Sequence, residues 1–140
     1  MPSVLILQAR LSMGKKKDFY QIVEDICVKD PRYKPDAYEF VMQALHFTQK
    51  KIGRQGHLTG FELSQGIRDF AIEQYGAMTK AVLSHWGIHK TDDFGQIVFH
   101  MVEKKILSKT EEDDIDDFKN VYNFDSAFSV ALKDHVRELK

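Results

Sequence analysis

A single cysteine, Cys27, stands among 140 residues, so an intramolecular disulfide and any zinc site built on several thiolates are excluded. No stretch approaches the roughly 18 apolar residues of a membrane span. The N-terminal "MPSVLILQARLS" carries an apolar run of only Val4 to Leu7, where a secretory core needs about 7–15 residues after a basic segment. Charge of one sign is missing too. The net charge of −1 leaves no global bias toward nucleic acid or an anionic membrane. There is no G-x-G-x-x-G, no G-x-S-x-G and no H-E-x-x-H. "ARLSMGKK", residues 9–16, superficially resembles a phosphate loop. It lacks the first glycine, and Lys16 stands where Ser or Thr must hold magnesium. These absences point to a cytoplasmic protein with no cofactor and no catalytic apparatus.

What is present suffices for one domain with a core: 43% hydrophobic residues, including ten Phe, five Tyr and one Trp. Charge is unevenly placed. Residues 1–60 hold ten Lys/Arg against six Asp/Glu, and residues 106–140 hold five against nine. Phe19, Ile22, Val23 and Ile26 mark an amphipathic helix, with Cys27 at the edge of its stripe. "DPRYKPD" breaks it, and Pro35 suits the first turn of a second helix that runs to about Ile52. Thr59 and Glu62 have capping-box spacing for a third helix, in which Gly66 predicts the close approach of a neighbour. A short fourth helix is stopped by Gly87. Trp86, just before that stop, is expected to be buried and to anchor the fourth helix to the fifth. Thr91 is expected to cap the fifth helix, whose apolar face is Phe94, Ile97, Val98, Met101 and Val102. Its exposed side is read as Asp92, Asp93, Gln96, His100, Glu103 and Lys104.

After residue 105 the period changes. "ILSKT" reads as a strand, and Phe118, Asn120, Tyr122 and Phe124 alternate as its returning partner. Asp125 then caps a last helix bearing Phe128, Leu132, Val136 and Leu139. The expected fold class is α+β, mostly helical: about six helices with a C-terminal β-hairpin and a winged-helix-like second half over 77–124. Residues 1–12 are read as a loose N-terminal extension, with Met13 as a natural beginning, and 13–140 as the single domain.

The hairpin tip would hold Glu111, Glu112, Asp113, Asp114, Asp116 and Asp117, six acids in seven positions. The bland reading is a solvated loop. The spacing is not that of an EF-hand loop, which needs a glycine at its turn and a bidentate Glu at its twelfth position. His85 and His89 are four apart, but Gly87 between them argues against a metal site, and no metal ligand set is expected. A wing with six carboxylates would be repelled by phosphates. Lys50, Lys51, Arg54 and His57 form a basic group that suits a helix C-terminus as well as an anion.

The pieces "DPRYKPDAYEFV", "HLTGFELSQGIRDFA", "WGIHKTDDFG", "LSKTEED" and "DFKNVYNFDSAF" together resemble a small family of uncharacterised bacterial proteins restricted to the Planctomycetes and Verrucomicrobia. The likeness spans roughly residues 18–128. It implies a bacterial, cytoplasmic protein and brings no activity or site residue with it.

Two functions remain from the residues. The first is a non-catalytic protein-interaction module whose acidic tip (Glu111, Glu112, Asp113, Asp114, Asp116, Asp117), with Phe118, docks a basic partner. The alternative is a nucleic-acid- or ribosome-associated protein that uses Lys15, Lys16, Lys17, Lys50, Lys51 and Arg54.

Overall fold

The computed structural model describes residues 5–6, 16–53 and 57–129. The five helices expected from the apolar spacing are present: α1 Lys16–Lys29, α2 Pro35–Ile52, α3 Gly60–Tyr75, α4 Thr79–His85 and α5 Thr91–Glu103. A turn of 3-10 helix, Gly76–Met78, joins α3 to α4, and a second one covers Ile115–Phe118. Residues 124–129 are again helical. The expected apolar positions of that last helix beyond 129, with Lys15 and Arg54, lie outside the described residues.

The local signals act as their chemistry requires. Pro35 opens α2, where its missing N–H and fixed φ cost nothing. Thr59 Oγ1 accepts from the Glu62 N–H at 2.9 Å, and Glu62 Oε1 accepts from the Thr59 N–H at 2.9 Å, closing the box on α3. Gly87 ends α4 at φ 91°, with the Ile88 N–H reaching the Leu83 carbonyl at 2.9 Å. A Cβ on Gly66 would lie 1.8 Å from Thr48 Oγ1, so α2 and α3 pack as closely as expected. The stripe of α1 buries Phe19, Val23 and Ile26 on the α2 side. Thr91 is not a side-chain cap. It is buried, and its Oγ1 accepts from the Val121 N–H at 3.1 Å. Trp86 is buried, and its ring meets Phe40 of α2 and Tyr75 of α3 at centroid distances of 5.3 and 5.8 Å.

The α+β expectation is overturned. Among the described residues the fold is helical, and neither a β-hairpin nor a wing is formed over 106–124. Among the described residues the extended pairing is limited to Leu5–Ile6 against His57–Leu58, two residues on each side. The reason lies at the end of α5. Lys105 takes φ 63°, the Lys105 N–H reaches the Val102 carbonyl, and the Ile106 N–H reaches the Met101 carbonyl at 3.0 Å. This is the helix-ending wrap usually built on glycine, here carried by lysine. It folds Ile106 and Leu107 back so that both consecutive side chains are buried, which a half-exposed strand forbids. Asn120 at φ 50° breaks the second expected strand. With no hairpin, the winged-helix-like segment 77–124 does not exist as such.

Candidate functional site

Two polar regions stand out on this frame. The first is the acidic segment. Its carboxylates do not behave as one group. Glu111, Glu112, Asp114 and Asp116 are exposed, Asp117 is half-buried, and Asp113 is buried. Asp113 Oδ2 accepts from the Thr110 N–H at 2.6 Å and from Thr110 Oγ1 at 3.0 Å, while its Oδ1 is buried with no hydrogen-bond partner. Burial pushes the Asp113 carboxyl above the ordinary aspartate range. Asp114 caps the following 3-10 turn by accepting from the Asp116 N–H at 2.8 Å, and Asp117 Oδ2 accepts from the Asp114 N–H at 3.1 Å. Lys119 lies 3.6 Å from Asp116. Three of the six acids therefore stabilise turns.

Phe118 is fully buried. A Cβ on Gly95 would lie 3.0 Å from Phe118 Cβ, and one on Gly60 would lie 2.8 Å from Asp117 Cβ and 3.2 Å from the Phe118 ring. Two glycines, on α5 and α3, thus leave room for the aromatic plug that fixes the acidic segment to the body. Tyr122 reinforces the anchor by donating to the Ser64 carbonyl at 2.8 Å.

The basic residues do not assemble comparably. The backbone of Lys16 and Lys17 opens α1. Lys50 and Lys51 are exposed at the end of α2, and Lys51 is paired with Asp69 at 2.8 Å.

The second region was missed by sequence reasoning. The connector between α1 and α2 carries Asp30, Arg32 and Tyr33. Arg32 grips Asp30 through Nε to Oδ1 at 2.9 Å and Nη2 to Oδ2 at 2.7 Å, and Arg32 Nη2 also reaches Gln96 Oε1 at 3.3 Å. That grip holds the Asp30 carboxyl down at about 2. His100 Nε2 is 3.4 Å from Asp30 Oδ2, and His100 Nδ1 is 2.8 Å from the buried Tyr38 hydroxyl. Tyr33 donates to Asp93 Oδ1 at 2.6 Å, and Asp93 Oδ2 accepts from the N–H groups of His89 and Lys90 at 2.8 and 3.2 Å. Burial raises the Tyr33 and Tyr38 phenols, so both remain donors. Burial lowers His100 below the usual histidine range, with Asp30 pulling the other way.

Asp93, Gln96 and His100, read from the sequence as an exposed side of α5, instead face the connector. Their i, i+3, i+7 spacing was visible, and a proline-flanked connector rich in charge and aromatics was the partner signal. Nothing in the chain's order says that the two meet.

Two open grooves of about 530 and 470 Å³ flank the helical stretch 124–129, one against α4 and one against α3. Neither is lined by any member of the His100 network or of the acidic segment. No cluster of three or more metal-ligating side chains occurs among the described residues. No helix there is long and apolar enough to cross a membrane. No family model, curated protein or solved structure matches the chain.

Proposed function

We propose that this chain is a non-catalytic protein-interaction module that docks a basic partner through the acidic segment. The observation that carries the reading is the presentation of Glu111, Glu112 and Asp116. All three are exposed on a segment tied down on both sides, by Ile106 and Leu107 before it and Phe118 after it. Charges held in place lose little freedom on binding, so they speed encounter with an opposite surface. Phe118 acts as the anchor of that surface and not as part of its contact face. A cytoplasmic location accords with the single cysteine, and the resemblance to a bacterial family accords with it too.

The nucleic-acid alternative has less support, because Lys51 is already engaged by Asp69. The test is binding of a lysine- and arginine-rich peptide and of random-sequence duplex DNA and RNA, at low and high salt. Wild type is compared with the triple variant Glu111→Gln, Glu112→Gln, Asp116→Asn. The module reading expects salt-sensitive peptide binding that the variant loses mostly through slower association. Nucleic-acid binding that tightens in the variant, with peptide binding unchanged, overturns it.

A further inference from the structure

The Tyr38–His100–Asp30–Arg32 chain joins three parts of the fold. Tyr38 belongs to α2, His100 to α5, and Asp30 and Arg32 to the connector before α2. The connector is docked on a third helix as well: the Lys34 N–H donates to the Trp86 carbonyl at 3.1 Å, at the end of α4. A Cβ on Gly87 would come within 2.2 Å of the Arg32 carbonyl oxygen, so the connector backbone lies directly on that helix end.

The hydrogen bonding sets the state of the ring. Tyr38 is fully buried, and its hydroxyl has Nδ1 of His100 as its partner. A phenol that keeps its proton donates it, so Nδ1 must offer a lone pair. Neutral His100 then carries its hydrogen on Nε2, the nitrogen that faces the Asp30 carboxylate. Every group is matched only in that one tautomer.

We propose that this chain is a pH-operated clasp: it locks the connector onto α5 while His100 is neutral, and it loosens when Nδ1 takes a proton. The proton converts Nδ1 from acceptor to donor. Tyr38 then has to turn its oxygen toward the ring, which leaves its hydroxyl hydrogen aimed into the buried interior without its acceptor. The groups around the ring are Asp30 and Arg32 of the connector, the rings of Tyr33 and Tyr38, and Glu103 one turn on along α5. Cys27 on α1 lies behind Tyr38 and donates its thiol hydrogen to the Tyr33 carbonyl oxygen, 3.5 Å away. Asp30 and Glu103 favour the extra charge. Asp30 is already matched by the bidentate Arg32, whose own charge opposes it, and the ring side chain is only 16% exposed. Loss of solvation therefore prevails, in keeping with the lowered affinity of His100 for a proton.

The test uses hydrogen exchange of the Lys34 and Arg32 amides, corrected for intrinsic rates, at pH 7.5 and 5.0. Wild type is compared with His100→Gln. Glutamine supplies an amide donor toward Asp30 and a carbonyl acceptor for Tyr38 but takes no proton. Wild-type protection is expected to fall by roughly threefold or more on acidification, as a local opening would give, while His100→Gln protection stays constant. Equal falls in both proteins, or no fall in wild type, overturn the clasp. Should the variant fail to fold, the wild-type ring nitrogens decide. The Nε2–H form at pH 7.5, with connector amide shifts that follow the His100 midpoint, is expected. An Nδ1–H form, or connector shifts that ignore that midpoint, overturns it.

Discussion

The acidic segment and the His100 network are both dense in charge, and they are built oppositely. In the acidic segment the polar partners are neighbours in sequence: Thr110 with Asp113, Asp114 with Asp116 and Asp117. Buried Ile106 and Leu107 before it and Phe118 after it tie the segment to the body. In the network the local Asp30–Arg32 pair is joined to bonds that span about sixty residues: Tyr33 with Asp93, Tyr38 with His100, Arg32 with Gln96. Local bonds shape a surface that faces water. Distant bonds hold helices together, and each donor left unmatched there costs its full desolvation. The same residue types therefore serve presentation in one place and cohesion in the other.

The largest expected effect comes from detaching the presented surface. Phe118→Ala should cost about 3–5 kcal/mol in chemical denaturation, because a fully buried aromatic leaves a cavity bounded by α3 and α5. A loss below about 1 kcal/mol would mean that the acidic segment is not fixed through this ring.

Next is a cut in the network. Asp93→Ala removes the acceptor of the Tyr33 hydroxyl and of two backbone N–H groups, so a loss of about 1–3 kcal/mol is expected. Tyr33→Phe in the same background should add little, since the phenol has already lost its partner. Fully additive losses would show that the two residues act separately.

The two regions should also respond to acid with opposite signs. Asp30 and His100 both bind protons more weakly in the fold than in the unfolded chain. Their stabilisation is present at neutral pH. It is lost as pH falls, first through the window below the unfolded histidine value and then from the unfolded aspartate value toward about 2. Asp113 binds its proton more tightly in the fold. Its contribution is fully present below the unfolded aspartate value and declines as pH rises through the folded one. Stability of Asp113→Asn relative to wild type, followed by urea titration, should accordingly be higher at neutral pH than at low pH. A relative stability that instead rises on acidification would reverse the assignment.

The smallest effect belongs to the triple variant Glu111→Gln, Glu112→Gln, Asp116→Asn. These side chains are exposed, so the melting temperature should move by no more than about 2 °C. A large drop would make the acids structural and remove their availability to a partner.

The helices were legible because each carries its own evidence. The Thr59 and Glu62 box, Pro35 and Gly87 act within one turn, and the α1 stripe repeats every few residues. The supposed hairpin failed for a local reason with a tertiary cause. Phe118, Asn120, Tyr122 and Phe124 do alternate, but Phe118 and Phe124 are buried by α3, α5 and their surroundings rather than by a partner strand. Lys105 in the left-handed region hid the end of α5, since that position ordinarily advertises itself as glycine. In the acidic stretch the sequence distinguished six acids only by number. Burial made Asp113 an internal bond, and capping engaged Asp114 and Asp117.

Short-range signals in the chain therefore specified the presence and order of the five helices, a close approach at Gly66, and the concentration of acid near residue 114. Helical periodicity and capping are short-range, so they survive translation into one dimension. Tertiary packing alone brings the connector to α5, sets His100 between Tyr38 and Asp30, and selects which carboxylates face water. Those outcomes depend on desolvation and on partners sixty residues away, and neither is a property of any local stretch of chain.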